Sequence, residues 1–128
     1  MTFTGTPSPP MKAVSGKAAE NWATNWLAAK DWEILARNIR TPEGEIDILA
    51  TDPSGSLVVV EVKARNPLCW MTGEDALRPH QRRRLLRALV WMAHRLRWPG
   101  DSRLDLAFVH CQEDGTREME LLHGIGMD

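Results

Sequence analysis

Between Gly44 and Arg65 the chain reads GEIDILAT, then DPSGS, then LVVVEVKAR. Two aliphatic runs flank a segment of Asp, Pro, Ser and Gly, which predicts strands over 44–51 and 57–65 joined as an antiparallel hairpin. No other segment restricts the fold so tightly. With the turn centred near Ser54, Ile46 faces Val62, Ile48 faces Val60 and Ala50 faces Val58. That face is apolar throughout. On the other face Leu49 meets Val59, Asp47 meets Glu61 and Glu45 meets Lys63. Cross-strand Cβ atoms lie about 4.5–5.5 Å apart. Two carboxylates so close repel unless one is protonated or a cation lies between them. A hard divalent cation with oxygen ligands, Mg²⁺ or Mn²⁺, suits such a pair. Lys63, and Arg65 beyond it, extend the same face toward a substrate.

The segments around the hairpin supply its cover. Ser15–Lys30 is expected to be a helix with Ser15 as N-cap, and Ala19, Trp22, Ala23, Trp26 and Leu27 recur at helical spacing. Glu20 falls at the edge of that stripe. If this helix covers the polar face of the hairpin, Glu20 joins Asp47, Glu61 and Lys63, and the opposite face receives a second helix. Glu33–Arg40 reads as a strand preceding the hairpin. Pro79 opens the second helix, with Leu85, Leu89, Met92 and Leu96 as its apolar stripe. Strands follow over 103–110 and 117–123. The strand–helix–strand unit from Leu57 to His110 predicts a parallel crossover. The expected fold is α/β: a mixed sheet, antiparallel hairpin plus parallel crossover strand, flanked by helices. Residues 1–14 are expected to form a flexible tail and 15–128 a single domain.

A chain of 128 residues suffices for one core. No apolar run approaches the roughly 20 residues of a membrane span. Cys69 and Cys111 form neither a disulfide framework nor a zinc motif, so the cytoplasm is the expected compartment. The net charge of −1 is unevenly distributed: Arg78–Arg97 hold seven arginines and no acid. Such a face suits phosphate contacts that do not read sequence. Trp91 lies among these arginines, where it could stack on a base or pack on a partner. Trp70, in the long loop before the second helix, is expected near the site entrance. Glu45 reads as the ion-pair partner of Lys63, and Asp105 as structural.

The strings GEIDIL and VVVEVKAR, a hairpin apart, resemble the Asp…Glu-x-Lys signature of the PD-(D/E)xK nuclease superfamily. With the helix bearing Glu20, ARNIR, the HQRRRL helix start and RLDLAFV, the chain is similar to the YraN-like family of bacterial proteins, related to archaeal Holliday junction resolvases. Ala19 stands where that family usually has Gly. The resemblance implies a restriction-endonuclease-like fold. It implies metal ligation by Glu20, Asp47 and Glu61, catalysis with Lys63, and a supporting role for Gln81. Arg65, Arg83, Arg84 and Arg87 are the expected DNA contacts. The activity implied is Mg²⁺- or Mn²⁺-dependent hydrolysis of DNA, with branched or structured DNA as substrate and a homodimer for symmetric cutting. The competing reading is a nucleic-acid-binding or protein-interaction module with the same fold and little catalysis.

Overall fold

The computed structural model describes residues 11–65 and 77–126, with side chains from residue 16 onward. Helix α1 (Met11–Ala29) is followed by strands β1 (Glu33–Thr41), β2 (Gly44–Thr51) and β3 (Leu57–Arg65). Helix α2 (Pro79–Arg95) leads to β4 (Ser102–Cys111) and β5 (Arg117–Leu122). The five strands form one sheet in chain order, and β3–β4 is its parallel pair. The expected α/β architecture is therefore the observed one.

Local chemistry explains the punctuation. In the β2–β3 turn the Asp52 carboxylate accepts from the backbone N–H groups of Ser54 and Ser56, and Gly55 takes a left-handed φ of +91°. Asp thereby mimics a backbone turn, and Gly takes that φ without steric cost. Arg78 is extended ahead of Pro79, as a residue before proline must be. Beyond the other end of α2, Trp98 N–H returns to the Ala93 carbonyl.

The sheet has a core on each face. Under α2 lie Leu49, Leu57, Val59, Leu104, Leu106 and Phe108, met by Leu85, Ala88, Leu89 and Met92. Under α1 lie Ile48, Ala50, Val58, Val60, Ala107 and Val109, met by Ala19, Ala23 and Leu27. Strands β3 and β4 are covered on both faces, which is why they read as unbroken aliphatic runs.

Several expectations are corrected. The helices exchange faces: α1 covers Ile48, Ala50, Val58 and Val60, and α2 covers Leu49 and Val59. The alanines of α1 fit against a tightly packed aliphatic surface, whereas the longer leucines of α2 fill the other side. Helix α1 begins at Met11, so Ser15 lies within it rather than at its cap, and residues 11–14 belong to the helix. Leu96 sits at the C-cap of α2 and is 44 % exposed, with Ala88 buried in the stripe instead. Residues 1–10 of the expected tail, and Cys69 and Trp70 of the long loop, lie outside the described residues.

Ala23 is fully buried where α1 meets the sheet. Ala23→Leu overfills this contact and is expected to lower stability by about 1–3 kcal/mol in urea unfolding. An unchanged midpoint would mean that α1 packs loosely.

Candidate active site

The backbone pairing of β2 with β3 runs from Thr51–Leu57 to Ile48–Val60, in the register expected from the turn. The described pairing does not continue to Asp47 and Glu61. Alternation along β2 breaks at the same place: Ile46 packs under α2, but Ile48, two residues on, packs under α1. In a regular strand, residues two apart share a face. Across the sheet, between the pairs Arg37–Ile48 and Ile39–Ile46, Asn38 takes a left-handed φ of +52°. The strands thus twist apart at Asp47.

The Asp47 side chain fills the gap. Its Oδ2 accepts the Val62 backbone N–H at 2.9 Å, standing in for a ladder carbonyl. Glu61, next along β3, is buried at 8 % exposure. Its carboxyl lies within hydrogen-bonding reach of Asp47. Gln81, in the first turn of α2, donates from Nε2 to Glu61 Oε2 at 3.2 Å. Lys63 Nζ stands 3.6 Å from the same oxygen. Asp47, Glu61, Lys63 and Gln81 therefore converge, drawn from β2, β3 and α2.

Glu20 is placed differently. Its field reaches Asp47, but Oε1 is bound by Arg37 Nη2 at 3.0 Å, and that nitrogen also donates to Asn21 Oδ1 at 2.7 Å. Among the described residues no three His, Cys, Asp or Glu side chains converge as a ligand group, so Glu20 does not complete a three-carboxylate cluster. Arg37 is the residue that sequence reasoning missed. Its Nε is buried without a hydrogen-bond partner among the described residues. Its position four residues after Glu33, in a strand with no alternating charge pattern, carried no signal of a partner on α1.

A model of the family described as "Uncharacterised protein family UPF0102" matches residues 19–109. The chain belongs to the UPF0102 family. A UPF0102 protein of Beutenbergia cavernae is 34% identical over 116 residues, covering 90% of this chain and 98% of that one. A relative from Ralstonia nicotianae is 49% identical over 59 residues, 46% of this chain and 45% of its own length. Among solved structures, an EndoMS–dsDNA complex is similar over 81% of this chain and 38% of that chain, with 16% identity and a TM-score of 0.48.

In this UPF0102 chain the electrostatics of the pair are unfavourable. Burial, then the charge of Asp47, pushes the Glu61 carboxyl up to about 8, against the opposing pull of Lys63. Burial also raises Asp47, partly offset by the Val62 N–H. Near neutral pH the two share a proton. A divalent cation fits these residues: Mg²⁺ commonly takes one or two carboxylates and completes its shell with water. Asp47 and Glu61 would hold it.

The expected phosphate contacts divide. Arg83 and Arg84 are exposed on α2, and Arg84 lies against Gly44, where a Cβ would come within 3.1 Å of its Nε. Arg87 is tied to Glu43 of the β1–β2 turn at 2.9 Å. The Arg65 guanidinium stacks on Phe108 at 3.9 Å. Lys63 pairs with Glu61 rather than with Glu45, whose nearest cation is Arg40 at 4.0 Å across β1–β2. No helix among the described residues is long and apolar enough to cross a membrane.

Because the folded-state value of Glu61 is raised, its contribution to stability is present below the unfolded carboxyl value and is lost as pH climbs toward 8. Glu61→Gln removes that loss. Without metal, the variant is expected to melt roughly 3–6 °C above the parent at pH 8, with the gap closing toward pH 5. Mg²⁺ should raise the melting temperature of the parent alone. A gap independent of pH would contradict the shared-proton pair.

Proposed function

We propose that this chain hydrolyses phosphodiester bonds in DNA with Mg²⁺ or Mn²⁺ held by Asp47 and Glu61, with branched or structured DNA as its substrate class. The observation that carries this reading is buried Glu61 beside half-buried Asp47, with Lys63 Nζ 3.6 Å from Glu61. Such a pair is electrostatically costly alone and suited to a hard cation. When bound, the cation supplies a lowered water pKa and neutralises charge on the scissile phosphate.

The chain's own residues do the rest. Val62 N–H holds one Asp47 oxygen and so fixes the carboxylate that would help hold the cation. Gln81 Nε2 fixes the orientation of Glu61. Lys63 donates to the attacking water or to the pentavalent phosphate, where charge develops. Glu20 adds negative potential at Asp47, moderated by Arg37. Arg83 and Arg84 offer exposed cations to the phosphate backbone, Arg65 lies further along β3, and Arg87 contributes through its pairing with Glu43. A twofold dimer would suit cuts on two strands.

The Arg37–Glu20 pair also supports the second reading, a binding module with little catalysis, because it withholds the third carboxylate. Plasmid, single-stranded and four-way-junction DNA incubated with Mg²⁺ or Mn²⁺ discriminates the two. Cleavage is expected, reduced at least a hundredfold by Asp47→Ala and by Lys63→Ala. No cleavage of any substrate, or equal cleavage by both variants, ends the catalytic reading. Salt-sensitive binding unaffected by Asp47→Ala would then identify the module.

Calorimetric titration with Mn²⁺ measures the site without DNA. Binding must displace the shared proton, so affinity is expected to rise several-fold between pH 6 and pH 7.5 and to vanish in Asp47→Ala. Affinity constant across that range would argue against ligation by Glu61.

A further inference from the structure

A second polar cluster lies toward the C-terminal end of α1, beside Trp26, which is about 9 Å along the helix axis from Glu20 at 1.5 Å per residue. Its base is Asp105, fully buried on the α1 face of β4. Four donors saturate this carboxylate. Arg103 Nε and Nη2 reach its two oxygens at 2.9 and 3.1 Å, His123 Nδ1 approaches at 2.7 Å, and the Gly124 N–H at 3.1 Å. The remaining Arg103 nitrogen binds Asp52 beside the β2–β3 turn. Burial opposes the Asp52 charge, but Arg103 and the turn's Ser56 and Ser54 outweigh it and hold the carboxyl at about 2. A network so fully bonded is rigid.

This network forms one side of a cavity of about 410 Å³, with Trp26, Trp32 and Leu121 as apolar walls. Trp32 is buried and Trp26 half-buried. That volume lies within the range of small-ligand sites, about 300–1,000 Å³. Neither aspartate is available to a ligand, because Arg103, His123 and backbone N–H groups already occupy both. Lys30 Nζ and His123 Nε2 are lining atoms with hydrogen-bonding capacity to spare among the described residues. The ammonium of Lys30 has the face of Trp26 as its partner, at 5.3 Å. Once Nδ1 donates to Asp105, Nε2 is the remaining functional atom of the imidazole. Arg103 already lies over the Trp32 ring at 5.7 Å, so Trp26 is the wall left for a flat ligand. Its indole favours a planar ring, and the Lys30 ammonium beside it favours an anionic group on that ring.

We propose that this cavity binds a nucleoside monophosphate, with the base against Trp26 and the phosphate at Lys30 and His123. The ligand is either a free nucleotide or the phosphorylated end of a nucleic-acid strand, which share this chemistry. The site stands apart from Asp47 and Glu61, and occupancy does not require hydrolysis there.

Calorimetry and ligand-observed NMR on the full chain with adenosine monophosphate test it. Saturable binding is expected with a dissociation constant below about 1 mM. Lys30→Ala and His123→Asn should each weaken it at least fivefold, and Asp47→Asn should leave it unchanged. The asparagine in His123→Asn keeps an N–H donor for Asp105, and melting curves confirm that both variants fold. Adenosine, without the phosphate, should bind at least tenfold more weakly. Absence of saturable binding, full affinity in both cavity variants, or equal binding of adenosine would overturn the proposal. A 5′-phosphorylated dinucleotide distinguishes the sources. Binding over tenfold tighter than the mononucleotide supports a strand end, and equal or weaker binding supports a free nucleotide.

Discussion

The Val62 N–H would lose its ladder partner where β2 turns away from β3, and the Asp47 carboxylate takes it instead. A donor left unpaired away from water costs roughly 1–3 kcal/mol, and this part-buried bond offsets such a cost. It also pins an acid beside buried Glu61. The sheet's irregularity and the site's charge are thus one structural fact. A single hydrogen bond closes the gap between strands and creates the repulsion that a cation would relieve.

The exchange of faces at Asp47 determines which elements can contribute. In a regular hairpin, Asp47 and Glu61 would project to one side and a single helix would cover them. Here β2 passes from the α2 layer at Ile46 to the α1 layer at Ile48. Gln81 therefore reaches Glu61 from α2, and the field of Glu20 reaches Asp47 from α1. Arg37, next to the left-handed Asn38, crosses the same seam to hold Glu20. The balance of charge at the site depends on this arginine, because it offsets a carboxylate whose approach would otherwise raise Asp47 further.

Much of this was legible from residue order. The five strands and two helices follow from aliphatic runs, the Asp-Pro-Ser-Gly turn and the Arg-Pro helix start. The hairpin register near the turn follows from the turn, but beyond Ile48–Val60 the pairing lapses, and Asp47 is held near Glu61 by its side-chain bond to Val62 N–H. The arginines were less legible. Arg83 and Arg84 are exposed as expected, whereas Arg87 is neutralised by Glu43 from a distant turn. Charge pattern along one helix gives no account of acids brought to it by other segments. The cluster around Asp105 and Arg103 of β4 was equally hidden, because Asp52 and His123 join it from distant regions of the chain.

By itself the sequence determined the elements, their order, the hairpin pairing near the turn and the chemical character of the site. These depend on local propensity and on alternation, which neighbouring residues specify. Tertiary structure alone decided which helix covers which face, where alternation breaks, and whether Glu20 faces Arg37 or the pair. Those outcomes depend on packing volume and on electrostatic competition among residues far apart in the chain. Small alanines on α1 and larger leucines on α2 select their surfaces by fit, and one backbone residue at positive φ redirects a strand. Neither effect has a period that a linear reading can detect.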